Sequence, residues 1–273
     1  MGRRIINRRL GYGGAIFWGA LPFLAFVMLY ATFSALRLAD NPGDKLLPAF
    51  STIGNTILRL ATVPDARTGG ILLWVDTEAS LMRLGIGLAG ASVLGLIGGI
   101  AIGLIPYLRA GLSPVVAVIS MVPPMAILPI LFIVFGLDEL SKVMLIIIGV
   151  APFLIRDLAM KVSDMPIELL IKAQTLGAST WQIVLRVVLP QVAPKLVDAI
   201  RLSLGAAWLF LISAEAIAAT DGLGYRIFLV RRYLAMDVIL PYVAWITLLA
   251  FAMDWVLRRF NRLCFPWLQR GLS

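Results

Sequence analysis

KAQTLGASTWQIVLRVVLP, residues 172–190, is a polar stretch set inside a chain that is 60% hydrophobic and only 14% charged. Just upstream, Pro166 suits the first turn of a helix. Ile167, Leu170 and Ile171 then recur at helical spacing as one apolar stripe. Gly177 ends or bends that helix. Ser179 followed by Gln182 is a capping-box pattern, which starts a second helix at Thr180. Trp181, Val184, Leu185 and Val188 lie along it, and Leu189-Pro190 reads as its end. The product is a helix–glycine–helix elbow between two long apolar runs.

Those runs set the fold class. A soluble domain carries roughly 25% charged residues, whereas this chain carries 14% and has a mean hydropathy of +0.95. Several runs reach the ~20 residues that cross a ~30 Å hydrocarbon core as helix. The sequence predicts an all-α, polytopic membrane protein. Its six spans fall at about 15–37, 80–107, 113–136, 140–160, 194–219 and 237–258. The count drops to five if the first is removed or lies at the interface. The first run, from Ala15 to about Leu36, exceeds the ~7–15 residues of a signal-peptide core and is read as a retained span. The domain reading is 1–79 as first span plus external amphipathic segment, 80–262 as core with cytoplasmic segment 164–190, and 263–273 as tail.

The net charge of +9 could suggest nucleic acid. Its placement argues otherwise. Arg3, Arg4, Arg8 and Arg9 precede the first span, and Arg258, Arg259, Arg262 and Arg270 follow the last. That is the pattern of cytoplasmic flanks facing anionic headgroups. With the N-terminus inside, Arg109, Arg156, Lys161, Lys172 and Arg186 also fall on the cytoplasmic side. Segment 38–79, the Leu137-Asp138 turn and segment 220–236 fall outside, although the last contains Arg226, Arg231 and Arg232. In 38–79, Ile53, Ile57, Leu58 and Leu60-Ala61 suggest a short amphipathic helix at the membrane surface. The chain has one cysteine, Cys264, and no histidine. An internal disulfide, a histidine metal site and a histidine-dependent triad are excluded.

Three spans carry unusual residues. Gly95, Gly99 and Gly103 stand at i, i+4, i+8, where they let helices approach closely, within the chain or at a subunit interface. Pro123, Pro124 and Pro129 remove backbone donors in SMVPPMAILPI. They either kink the span or kink it where it lines a substrate path. Glu215, in FLISAEAIAAT, either faces the bundle interior or is solvated near the outer end beside Asp221. Arg201 and Asp254 snorkel or pair.

The elbow resembles the Glu-Ala-Ala signature of inner-membrane subunits of ATP-binding-cassette (ABC) importers. Ala173 takes the second alanine, Gly177 the glycine, Val187 the isoleucine, and Leu189-Pro190 match outright. Ile171 and Lys172 replace the glutamate and first alanine, and Glu168 lies one turn earlier on the same face. TLGASTWQIVLRVVLP, AILPILFIVFGLDELSK and SAEAIAATDGLGYRIF look like permeases of the nitrate, sulfonate and taurine importer group. LADNPGDKLLPAF and LVRRYLAMDVILPYVAWITLLAF look most like permeases associated with urea carboxylase, a subgroup implicated in urea or guanidine uptake.

The resemblance implies a type I importer fold and a homodimer in a bacterial cytoplasmic membrane, with both termini cytoplasmic. It implies two ATP-binding cassette subunits as partners and an extracytoplasmic solute-binding protein that delivers a small polar solute. Coupling to the ATPase would fall to Glu168, Lys172, Ala173, Gln174 and Gly177, and to Ala178, Ser179, Trp181, Leu189 and Pro190. A substrate path would take Pro123, Pro124, Met125, Pro129, Trp208 and Glu215. No cofactor is expected on this chain. ATP and Mg²⁺ would sit on the partner, since the sequence has no phosphate-loop pattern and no Gly-Lys pair.

Two other classes stay open on the residues alone. An ion-coupled secondary transporter or channel would use the prolines and Glu215 as its ion path. An intramembrane aspartyl enzyme would need two facing aspartates, and the spans offer no convincing pair. Substrate charge is undecided. Glu215 suits a cation, Arg226, Arg231 and Arg232 suit an anion, and a binding protein would set most of the specificity.

Overall fold

The structure is a computed structural model that describes residues 11–66 and 69–267. The arginines at 3, 4, 8, 9 and 270 that orient the termini in the sequence lie outside the described residues. Its elements are helices: α1 (Tyr12–Asp40), α2 (Phe50–Thr62), α3 (Leu72–Leu104), α4 (Pro106–Ile119), α5 (Pro124–Phe135), α6 (Glu139–Ser163), α7 (Ile167–Thr175), α8 (Thr180–Ile183), α9 (Leu189–Ala218), α10 (Leu223–Arg231) and α11 (Met236–Cys264). A π-helical turn, Val184–Val188, joins α8 to α9.

The chain divides into two compact units, Met1–Val63 with Val230–Pro241, and Pro64–Leu229 with Tyr242–Ser273. In the first, α1 is tied to the strap before α2. Tyr30 Oη donates to the Pro48 carbonyl at 2.7 Å and Ser34 Oγ to the Leu47 carbonyl at 2.9 Å. Arg37 pairs with Asp44, and that hydrogen bond holds the Asp44 carboxyl below the usual carboxylate range.

The second unit is built on α3, α6 and α9. Gly95 and Gly99 of α3 lie against α6 so closely that an added Cβ would sit 2.6 Å from Leu154 and 2.5 Å from Leu158. Gly103 meets Val162 in the same way. The glycine stripe therefore serves packing within the chain. Leu84, Leu145, Ile146, Leu154 and Leu211 are sealed around this contact.

Among the described residues, five helices are long and apolar enough to cross a membrane: α1, α3, α6, α8 through α9, and α11. Counted as one bent unit, the pair α4 and α5 brings the spans to six. α4 and α5 meet at a 92° bend. Pro123 is the extended residue before α5 and Pro124 its first residue, so neither proline forfeits a helical hydrogen bond. The kink expected of the prolines in the span at 113–136 is present as this bend. Two other boundaries also move. The second span begins at Leu72 and not at 80, and the fifth is continuous from Thr180 and not from 194.

Candidate functional site

The elbow forms as two locked turns. Lys172, Ala173, Gln174 and Thr175 close α7, and Gly177 follows at φ +77°, a conformation that penalises any Cβ. Gly177 N donates to the Gln174 carbonyl at 2.9 Å and Ala178 N to the Ala173 carbonyl at 3.0 Å. This is a Schellman ending. Ala173 and Ala178 both pack on a cluster made by Ile100, Leu158, Val162, Ile183, Val188 and Val192. Ser179 then caps α8. Its backbone N–H donates to Gln182 Oε1 at 2.8 Å, and Gln182 N donates to Ser179 Oγ at 3.3 Å. The capping box read from the sequence is present in both directions.

Leu189-Pro190 does not end the second helix. The chain passes through Pro190 into α9 as one helix over Thr180–Ala218. In an α-helix the ring of Pro190 would collide with the Arg186 carbonyl. The π turn widens the backbone there, with Leu189 N donating to the Val184 carbonyl. Gln191 Nε2 donates to the Val187 carbonyl at 3.0 Å. The expected stop is thus a change of helical register within a span.

The inward face of the elbow is its alanines, Leu170 and Ile183. Its outward face is apolar too. Leu176 is 87% exposed and Trp181 68% exposed, with Ile167 and Ile171 beside them and Glu168, Lys172 and Gln174 exposed among them. The apolar stripe expected of Ile167, Leu170 and Ile171 is divided, because only Leu170 turns to the bundle.

At the other end of the same bundle is a buried charge network. Asp76, Ser80 and Arg83 stand at i, i+4 and i+7 on one face of α3. Arg83, 4% exposed, donates from Nη1 to Glu215 Oε1 and from Nη2 to Glu139 Oε1, both at 2.8 Å, and also pairs with Asp221. Glu215 is 0% exposed, so the solvated-end reading is overturned. It accepts from Ser80 Oγ and from Gly224 N, each at 2.8 Å. Asp76 accepts from Arg226 Nε at 2.8 Å, Tyr242 Oη at 2.8 Å and Gly222 N at 3.0 Å. Burial opposes the Arg226 cation, but the Asp76 carboxylate more than offsets it and raises its proton affinity. The effect is to rivet the turn after α9 onto α3. Gly222 has φ +113°, and a Cβ there would lie 2.6 Å from Glu215 Cδ.

The path residues named from sequence fall on two sets of elements. Pro123, Pro124 and Met125 sit at the α4–α5 bend, with Pro129 inside α5. Trp208 is two turns before Glu215 on α9, buried, and its indole N–H meets no acceptor among the described residues. Arg201 pairs with Asp254 at 2.8 Å and with Asp198 at 3.1 Å, so pairing and not snorkelling describes it. A second span begun at 80 leaves Asp76 outside it, so its alignment with Ser80 and Arg83 on one helix face goes unread. Their i, i+4, i+7 spacing was the available signal.

An all-helical bundle with a bent helix pair, a buried charge network at one end and a locked apolar elbow at the other defines a polytopic membrane protein. Residues 91–266 match the family of binding-protein-dependent transport system inner membrane components, and the chain belongs to that family. It is 39% identical over 196 residues, 71% of either chain, to the taurine transport system permease protein of Escherichia coli strain K12. It is 27% identical over 211 residues, 76% of either chain, to the nitrate import permease protein of Synechococcus elongatus. Among solved structures it resembles the inward-facing MetNI methionine ABC transporter, with TM-score 0.62 and 22% identity over 70% of this chain and 95% of that one. A bacterial ABC transporter that imports alginate gives TM-score 0.63 and 13% identity over 91% of this chain and 95% of that one. These likenesses establish the type I ABC importer fold. The chain is the membrane-spanning permease subunit of an ABC importer, an inner membrane component of the transport system. The reading as an ion-coupled transporter or channel is set aside by this membership.

Proposed function

We propose that the elbow is the docking element for an ATPase partner. The observation that carries this is its outward face: Leu176 and Trp181 project from two turns that are fixed by local hydrogen bonds. Large apolar side chains at 87% and 68% exposure on a rigid scaffold are what a protein partner buries. Glu168, Lys172, Gln174 and Ser179 supply the polar rim, while Ala173, Ala178 and Gly177 hold the shape. Leu189 and Pro190 act through the π turn that links the elbow to α9.

In this reading two copies of the chain form the path, with two ATP-binding cassette subunits below and an extracytoplasmic solute-binding protein above. Both termini are cytoplasmic, and the lipid bilayer surrounds the apolar outer faces. The chain holds no nucleotide or metal of its own. ATP and Mg²⁺ belong to the partner, so the chain is a transport subunit and not an enzyme. The path runs by the α4–α5 bend, with Pro123, Pro124, Met125 and Pro129, and by Trp208. Glu215 acts there as an anchor for the wall.

The solute is a small sulfonate or oxyanion of the taurine or nitrate type, on the strength of the 39% likeness to the taurine permease. Urea or guanidine is the competing solute class. The experiment is co-purification of the ATPase with L176S/W181S permease, together with uptake of labelled taurine. Loss of both, with the permease still in the membrane, is the expected result. Full ATPase retention would overturn the docking role. Uptake competed by guanidine and not by taurine or nitrate would overturn the solute class.

A further inference from the structure

Neither the elbow nor the charge network accounts for a cavity of about 420 Å³ between α4, the C-terminal part of α3 and the C-terminal half of α6. It lies at the elbow end of the bundle. Its floor is apolar, with Ile102, Val116 and Ile155. Arg109, Arg156 and Ser113 supply polar groups in its lining.

Both arginines are held in place by neutral partners. Arg109 caps the last turn of α3, where carbonyls lack helical donors. Its Nε donates to the Ile102 carbonyl at 3.2 Å and its Nη2 to the Gly103 carbonyl. Arg156 donates from Nη1 to Ser120 Oγ at 2.8 Å. Among the described residues neither guanidinium has a carboxylate within ion-pair distance, whereas Arg83, Arg201 and Arg258 on other spans each have at least one. The carboxylates nearby do not cancel the charge. Asp164 also lines the cavity but pairs with neither arginine, and Asp157 faces Lys161 at 4.0 Å. Arg109 Nη1 and both Nε and Nη2 of Arg156 make no protein hydrogen bond among the described residues.

We propose that this cavity is an oxyanion-binding site, in which the forks of Arg109 and Arg156 grip a phosphate- or sulfonate-type group. Planar guanidinium donors match such oxygens geometrically. Basic pockets between spans at the cytoplasmic surface take anionic lipid headgroups, and the apolar floor suits the adjoining glycerol and methylene carbons. A soluble oxyanion presents the same chemistry. The oxyanion chemistry rests on the cavity and its two arginines, while the headgroup source also rests on the cytoplasmic side that the importer reading gives this end.

The test uses the full chain in nanodiscs of phosphatidylcholine, with or without one quarter phosphatidylglycerol, and separately with sulfate as the soluble probe. Native mass spectrometry reads lipid retention and thermal unfolding reads sulfate. R109Q/R156Q is expected to lose ~10-fold or more in retained phosphatidylglycerol or in apparent sulfate affinity, since two charge-assisted forks are removed. Lipid loss identifies a headgroup site, and sulfate loss identifies a soluble-anion site. R259Q, an exposed arginine in the last turns of α11, should change neither. If the double variant fails to fold, R156Q alone, which gives up only the Ser120 bond, makes the same comparison. Equal binding by wild type and variant, or an equal loss in R259Q, would overturn the proposal.

Discussion

Arg83 Nη1 lies 2.8 Å from Glu215 Oε1, and the two side chains, 132 residues apart in sequence, are 5% and 0% exposed. Inside a membrane bundle each needs the other. The Arg83 fork is shared with Glu139 and Asp221, which open to the surface with side chains 61% and 41% exposed. The network thus runs from a sealed anchor to a solvated rim.

Breaking this pair from one side should be worse than removing it. R83M leaves the Glu215 carboxylate buried against Ser80 and Gly224 with no cation, a loss of about 3–5 kcal/mol by analogy with other buried pairs. R83M/E215L removes the stranded charge and should recover part of that loss. Denaturant midpoints of the purified permease read the difference. A double variant no more stable than R83M would show that the pair is not energetically coupled.

Gly222 and Gly205 make a matched contrast. G222A places a Cβ 2.6 Å from Glu215 Cδ at φ +113°, so the turn must leave α3. G205A, inside α9, meets nothing within 4 Å. It should stabilise by about 0.5–1 kcal/mol through helix propensity. Thermal unfolding of both variants tests the turn's fit. Equal midpoints would deny it.

Removing the reason for the π turn should rotate the elbow. P190A restores a backbone donor and relieves the clash with Arg186, so Val184–Val188 can return to α geometry. One residue of register turns the elbow by about 100° relative to α9. The expected outcome is a folded permease, with unchanged helical circular dichroism, that no longer supports solute-stimulated ATP hydrolysis. Undiminished stimulation would mean the register is irrelevant to coupling.

The α3–α6 seam should tolerate no enlargement. G99L drives a side chain into Leu158, where even a Cβ would sit at 2.5 Å. Overpacking of this kind costs typically ~1–3 kcal/mol or separates the helices. Protease sensitivity of the 139–163 segment should rise. An unchanged digestion pattern would place the glycine stripe elsewhere than at this seam.

Much of the elbow was legible because its rules are local. The capping box of Ser179 and Gln182 spans four residues, and the Schellman ending at Gly177 spans six, so both could be read from the chain before any packing was known. The spans themselves follow from hydropathy and length. What failed was also local in appearance. Pro190 reads as a stop, and only packing of Val188 and Val192 into the bundle makes a continuous helix worth a π turn.

The stretch 172–190 by itself thus determined an elbow with a glycine hinge and a capped second helix, set between spans of a membrane protein. Tertiary structure alone decided what sits across from Glu215, how Asp76 rivets Gly222 and Arg226, and which face of the elbow is left bare. The physical reason is range. Caps and turns are closed by neighbours within one turn of chain. Burying a charge in a bundle requires a partner from another span, and no spacing along one strand of sequence names that partner.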